Sequence, residues 1–232
     1  GVKDGFVTPT GMIAQGRGEA FDYLIGEKTT ESALRAERAA MELLMQESHI
    51  RGLPAGQPDP SAKPKVRVLS VNGNVAALCA EDIIKLAEAT GAKIEINLFY
   101  WTKEREEKIA EILKKAGAKE VLGTGEKEDI PHLDSSRGRV DPNGIAKADV
   151  VLVMLEDGDR TEALKSMGKK VIAIDLNPFS RTAQMADITI VDNVVRALPN
   201  MIRFAKEDCS VKGFDNKENL KEAAKEIKKN LF

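Results

Sequence analysis

Four clusters of polar and charged residues each follow directly on a short apolar run, and they hold most of the chemistry this chain could perform. The first is Ser70-Val71-Asn72-Gly73-Asn74. Asn72 and Asn74 admit two readings: a tight turn with a helix cap, or a loop in which Gly73 lets the backbone approach a phosphate or hydroxyl ligand near a helix N-terminus. The second is Glu156-Asp157-Gly158-Asp159-Arg160. Asp159-x-x-Glu162 matches a capping box with Asp as the cap, but capping leaves Glu156 and Asp157 unexplained. Carboxylates crowded in one loop repel unless a cation joins them. Mg²⁺ takes one or two carboxylates plus phosphate oxygens, so Asp157 and Asp159 are candidate metal ligands, or groups that orient an arginine. Arg160 offers a planar fork to a phosphate or a carboxylate.

The third cluster is Asp175-Leu176-Asn177-Pro178 with Ser180-Arg181-Thr182 behind it, and the fourth is Asp192-Asn193 before Val194-Val195. Asp175 and Asn177 suit ribose hydroxyls or an adenine edge, or else close an Asx-turn ahead of Pro178. Arg181 can neutralise phosphate charge. Asp192-Asn193 reads as a helix cap or a nucleotide contact. A fifth motif lies upstream, Gln15-Gly16-Arg17-Gly18-Glu19-Ala20-Phe21-Asp22-Tyr23, with Lys28 beyond it. Its glycines let backbone and the Arg17 guanidinium approach a phosphate together. The alternative is an irregular turn with a surface arginine.

These clusters need a frame. Six apolar, mostly β-branched runs occur at Val66–Val71, Ile94–Phe99, Glu120–Leu122 (weak), Val150–Leu155, Val171–Ile174 and Ile188–Val191. They are nearly continuous rather than alternating, which suits strands buried on both faces of a parallel sheet. Helical patterns separate several of them, at 80–90, 102–116, 161–167 and 194–206, with Glu104 and Lys108 paired at i, i+4. The alternation predicts an α/β fold, a doubly wound, mainly parallel sheet of about six strands. In such a sheet ligands bind beyond the carboxyl ends of the strands, where the four clusters fall. Further helices are predicted at 30–45 (stripe Leu34, Met41, Leu44, Met45) and 217–231 (stripe Leu220, Ala224, Ile227, Leu231). Each could dock on the core or on a second subunit. The chain reads as one domain, with an N-terminal helical region at 1–50, a Pro-rich mobile linker at 51–65, a core at 66–206 and a C-terminal helix at 207–232.

Composition sets the bounds. The 232 residues are 42% hydrophobic and 31% charged with a net charge of −2, an ordinary globular balance that argues against a general nucleic-acid surface. No apolar run is long enough to span a membrane and no secretory pattern is visible, although the chain does not begin with Met. Cys79 and Cys209 lie far apart and, with His49 and His132, form no zinc motif, so two unbridged thiols in a reducing cytoplasm are expected. No hydrolase nucleophile motif flanks either histidine. The absence of G-x-G-x-x-G after the first strand counts against a nicotinamide-dependent oxidoreductase. That class, and a non-enzymatic nucleotide-sensing module, remain the alternatives to a nucleotide-using enzyme.

Several of these blocks also resemble a known family. Gly16–Lys28, Ser70–Leu78, Glu95–Tyr100, Leu155–Leu164, Ile174–Pro178 with Ser180-Arg181, and Ile190–Asn193 are similar, in order, to motifs of the archaeal phosphopantothenate synthetases, the 4-phosphopantoate–β-alanine ligases. The resemblance implies a cytoplasmic homodimer with a Rossmann-like core, active in coenzyme A synthesis. Its substrates would be 4-phosphopantoate, β-alanine and ATP with Mg²⁺, and its products AMP and pyrophosphate. It implies that ATP is held by Arg17, by Asp175, Leu176 and Asn177, by Arg181 and Thr182, and by the backbone near Asn193, Val194 and Val195. Arg17, Arg160 and Arg181 are then the candidate catalytic arginines. Asn72, Asn74 and Arg160 are the candidate contacts to phosphopantoate. Two departures stand out: the family carries a further helical segment upstream, with an arginine expected to touch the nucleotide, and the linker here is longer.

Overall fold

A computed structural model describes residues 1–46, 65–130, 136–155, 158–207 and 209–231, with Arg137 described by its backbone alone. The predicted linker at 51–65 lies outside the described residues except for Lys65, and so do His49, His132, Glu156 and Asp157. In chain order, α1 (Pro9–Leu24) and α2 (Glu31–Met45) precede β1 (Arg67–Val71), α3 (Gly73–Thr90), β2 (Lys93–Ile96) and α4 (Lys103–Lys115). A short antiparallel hairpin, β3 (Glu128–Asp129) with β4 (Arg139–Val140), interrupts the alternation. It resumes with β5 (Val150–Met154), α5 (Gly158–Ser166), β6 (Lys170–Ile174), α6 (Arg181–Met185), β7 (Ile188–Ile190) and α7 (Val194–Phe204), and ends with α8 (Asn216–Leu231).

The main sheet runs β2-β1-β5-β6-β7, every pair parallel. The weak run at Glu120–Leu122 contributes only a parallel bridge from Leu122 to Glu95, outside β2. Counting that bridge as a third position, the order is the 3-2-1-4-5-6 of a Rossmann-like sheet, with its topological switch between β1 and β5. Each strand divides its side chains between two layers, as a period of two requires. Leu69, Val71, Leu152, Met154, Ile172 and Ile174 face one apolar cluster, while Val68, Val151, Val153, Val171 and Ala173 face the other. In β5 all five residues are at most 1% exposed, each burial being worth roughly 1.5–3 kcal/mol.

Side-chain caps fix where the helices begin. Asn72 starts α3 seven residues earlier than periodicity alone predicts, and Thr102, Ser180 and Asn193 start α4, α6 and α7. The Glu104–Lys108 pair forms at 2.7 Å. Both terminal stripes dock on the chain's own core: α2 against α7 and β7, α8 against β7, α2 and α6. In α8 the buried face is Asn219, Ala223 and Ile227: Ile227 falls on the predicted stripe, Asn219 and Ala223 lie one position before the predicted Leu220 and Ala224, and Leu231 is exposed. The shift has a polar cause: Asn219 Nδ2 donates to Thr189 O at 2.8 Å and turns inward.

Candidate functional site at the carboxyl edge of the sheet

At the switch point, Asn72 does two jobs. Its Oδ1 accepts from Asn74 N (3.0 Å) and Val75 N (3.2 Å), capping α3, and its Nδ2 donates to Met154 O (2.9 Å) and Leu155 O (3.3 Å). One amide thus ties the ends of β1 and β5 together. Leu155 is held at φ 53°, the left-handed region that a bulky residue rarely occupies, at the wall of the site. Gly73 is required for close approach, since a Cβ there would lie 2.2 Å from Phe6 O. Asn74 Nδ2 donates to Gly11 O at 2.9 Å and so fastens the start of α1 over the loop. The result is a cavity of about 380 Å³, lined by Thr8, Thr10, Asn74, Tyr100, Arg105 and Leu155 among others. Its apolar side includes Phe99 and Ala14.

Further along the edge, Asp175 and Asn177 form consecutive Asx-turns, accepting from Asn177 N and Phe179 N at 2.9 Å each. Asp175 also accepts from Ser180 Oγ, and burial pushes its carboxyl up against the opposing pull of those hydrogen bonds. Leu176 is buried against Ile25 and Ile227. Arg181 opens α6 and is 63% exposed, held between Asp159 (2.6 Å) and Glu162 (3.0 Å). Gly158 permits this meeting, because a Cβ there would come within 2.4 Å of the Arg181 Cβ. At the end of β7, Asn193 caps α7, and its Nδ2 donates to Asp22 Oδ2 at 2.8 Å. Arg196 bridges Asp22 (2.5 Å) and the buried Asp192 (2.6 Å).

Helix α1 joins the two regions. Its Gly11 meets Asn74 after β1, its Gly18 faces Leu176 after β6, and its Asp22 meets Asn193 after β7. Arg17 is exposed on this helix. A glycine-flanked turn offering its backbone to a phosphate is therefore corrected: Gly16-Arg17-Gly18 lies inside α1, where the backbone N–H groups serve the helix.

Comparison with known proteins gives this edge its context. The sequence model of the family described as phosphopantothenate/pantothenate synthetase matches residues 62–230. The chain belongs to this family. A 4-phosphopantoate–β-alanine ligase of Thermococcus kodakarensis is 53% identical over 222 residues, 95% of this chain and 77% of that protein. One of Methanosarcina mazei is 50% identical over 240 aligned residues, 100% of this chain and 88% of that protein. Neither the oxidoreductase nor the sensor reading is carried by these relatives.

Within the family frame, the residues expected at the site divide into three groups. Asn72 and Asn74 come together at the switch point. Arg17, Asp175, Leu176, Asn177, Arg181, Thr182, Asn193, Val194 and Val195 fall on α1 or on the ends of β6 and β7, although Leu176, Thr182 and Val194 are buried and Val195 N is taken by the Asn193 cap. Arg160 departs from expectation. It is not a solvent-facing fork: it is 0% exposed, and its Nη1 donates to Ser70 Oγ at 2.8 Å beneath the edge. The capping-box reading of Asp159 is corrected too, since Asp159 lies inside the first turn of α5 and pairs with Arg181. That pairing fits the arginine-orienting role better than a metal ligand's. Among the described residues no cluster of three His, Cys, Asp or Glu could hold a metal.

Sequence reasoning missed Thr8, Thr10, Arg196 and Arg105, and named Asp22 and Leu155 only as members of longer motifs. Arg105 carried one usable signal: it sits in the first turn of a helix that follows a strand, so it had to lie at the carboxyl edge.

Proposed function

We propose that this chain condenses 4-phosphopantoate with β-alanine at the expense of ATP, releasing AMP and pyrophosphate. The observation that carries the reading is the continuous edge crossed by α1, with an open cavity at the switch point and arginine- and asparagine-bearing loops after β6 and β7. Half or more of the residues are identical to those of ligases named for this reaction. In this reading the pantoyl skeleton occupies the cavity beside Asn72 and Asn74, and ATP lies along Asp175–Asn177, Arg181-Thr182 and Asn193–Val195. Arg17 reaches the phosphates from α1. A carboxylate is a weak electrophile. Here its oxygen attacks the α-phosphorus and pyrophosphate leaves. The amine of β-alanine then attacks the acyl carbon, loses its proton, and AMP departs. The chain's own work is alignment and charge neutralisation, by Arg17 and Arg181 above all. Mg²⁺ would enter with the nucleotide and supply charge neutralisation at its phosphates. Arg160 supports the edge from beneath.

Assembly as a homodimer belongs to the same proposal. With the terminal helices docked internally, support moves to the α1–α3 surface, where the exposed Met12 (56%) and Leu78 line a shallow hollow. A cytoplasmic setting is supported by Cys79 and Cys209, both buried and unbridged. Among the described residues no helix is long and apolar enough to cross a membrane. The test is product analysis with Mg-ATP, 4-phosphopantoate and β-alanine, resolving AMP, ADP and phosphopantothenate. AMP and phosphopantothenate in equal amounts, each requiring all three substrates, is the expected result. ADP in place of AMP, or nucleotide consumption independent of β-alanine and phosphopantoate, overturns the proposal.

A further inference from the structure

Arg105 is the one charged residue lining the switch-point cavity, among the described residues. It makes no ion pair with any described carboxylate, whereas Arg35, Arg38, Arg181 and Arg196 each have one. Its Nη2 donates to Phe6 O at 3.0 Å and its Nη1 to Tyr100 O. Its Nε is shielded from solvent and has no partner. Carbonyl oxygens orient a guanidinium without neutralising it, and two of its five N–H donors are used. Burial works against the charged form of this side chain. A cation placed there without a counter-charge costs stability unless a ligand supplies the anion.

The surroundings fit a doubly charged oxyanion. Gly73, the first residue of α3, lies next to the guanidinium: a Cβ on it would sit 3.4 Å from Arg105 Nη2. The first turn of α3, a helix kinked further along at Cys79, therefore begins beside Arg105. Thr8, Thr10 and Asn74 add neutral polar groups, and no acidic side chain lines the cavity to repel an anion. Phe99 and Leu155 give it an apolar wall for a branched carbon skeleton.

We propose that Arg105 binds the phosphate monoester of the acyl substrate and thereby selects a phosphorylated hydroxy acid over the free one. This rests on the ligase reading for the identity of the acid. It assigns to Arg105 the phosphate contact that the sequence suggested for Arg160, which does not line the cavity.

The test is equilibrium calorimetry on the full chain with 4-phosphopantoate and with pantoate, on wild type, Arg105→Met and Arg105→Lys. Steady-state kinetics accompanies it. Wild type is expected to bind the phosphorylated acid at least about 30-fold more tightly than pantoate, and Arg105→Met to lose most of that difference. Arg105→Lys restores charge without the fork and falls between them. In kinetics the loss appears in KM for 4-phosphopantoate, with KM for ATP held. Wild type binding both acids equally, or Arg105→Met keeping the wild-type preference, overturns the proposal. Arg105→Met weakening both acids alike also overturns it, by showing that the side chain only tethers Phe6 and Tyr100. Should wild type prefer the phosphorylated acid yet release no AMP, the ligase reading fails and the role of Arg105 stands.

Discussion

Arg181 is exposed and held from two sides by Asp159 and Glu162, so it contributes little to stability, and the proposed reading gives it a phosphate to meet. Arg181→Ala is expected to leave the thermal midpoint nearly unchanged while lowering kcat by about 10²–10³-fold, as the loss of a preorganised charge at a transition state does. Near-normal turnover would remove Arg181 from the mechanism. Asp159→Asn tests the orienting role: kcat falls less than for Arg181→Ala, and the Mg²⁺ concentration for half-maximal rate stays where it was. A large rise in that concentration would instead make Asp159 a metal ligand. At this scale the sequence was partly legible. Residue type and position after a strand pointed to Asn72, Asp175 and Arg181. For Arg105 the sequence offered its place at the carboxyl edge but not its distinguishing property, a missing counter-ion, because an absent contact leaves no trace in one sequence. Arg160 misled for the converse reason, since burial depends on what folds over a residue.

Two glycines make opposite predictions about the elements that carry the site. A Cβ at Gly73 runs into Phe6 O, and Gly73→Ala should cost about 1–3 kcal/mol and raise KM for the acyl substrate as the N-terminal arm shifts. Gly16 meets nothing within 4 Å inside α1, so Gly16→Ala should stabilise the chain by about 0.5–1 kcal/mol, read as a rise in thermal midpoint. A lower midpoint for Gly16→Ala would mean that α1 is not helical there. The glycine-rich motif was misread because tertiary contacts through Asn74, Leu176 and Asn193 hold a helix that glycine disfavours. Between α2 and α7, burial and nearby Asp192 push the wholly buried Glu37 up to about 8 from 4.5, against the pull of Asn200, Arg203 and Arg196. A carboxyl with a raised folded-state pKa supports folding most below 4.5 and loses that contribution as pH rises through about 8. Glu37→Gln keeps the shape of the protonated acid. Its thermal midpoint should therefore fall less than that of wild type across this window, and parallel profiles would show that Glu37 is ionised throughout.

The whole molecule was the most legible level, because continuous β-branched runs separated by helical periods specify a doubly wound sheet whatever its loops do. Val150–Met154 and Val171–Ile174 were readable for that reason, whereas the register of α8 turned on one amide, Asn219, that periodicity treats as polar and outward. Quaternary structure lies beyond such patterns. If the α1–α3 surface joins two copies, light scattering will give twice 25.3 kDa, and Leu78→Asp will return a single-chain mass with the fold intact. A wild-type mass of one chain would contradict the dimer. The central claim, that this edge activates a carboxylate at the α-phosphorus of ATP, is tested most directly by isotope transfer. 4-Phosphopantoate labelled with ¹⁸O in its carboxylate is turned over with ATP and β-alanine, and the released AMP is weighed. One labelled oxygen in the AMP phosphate is the predicted result, and label in inorganic phosphate with none in AMP would contradict it.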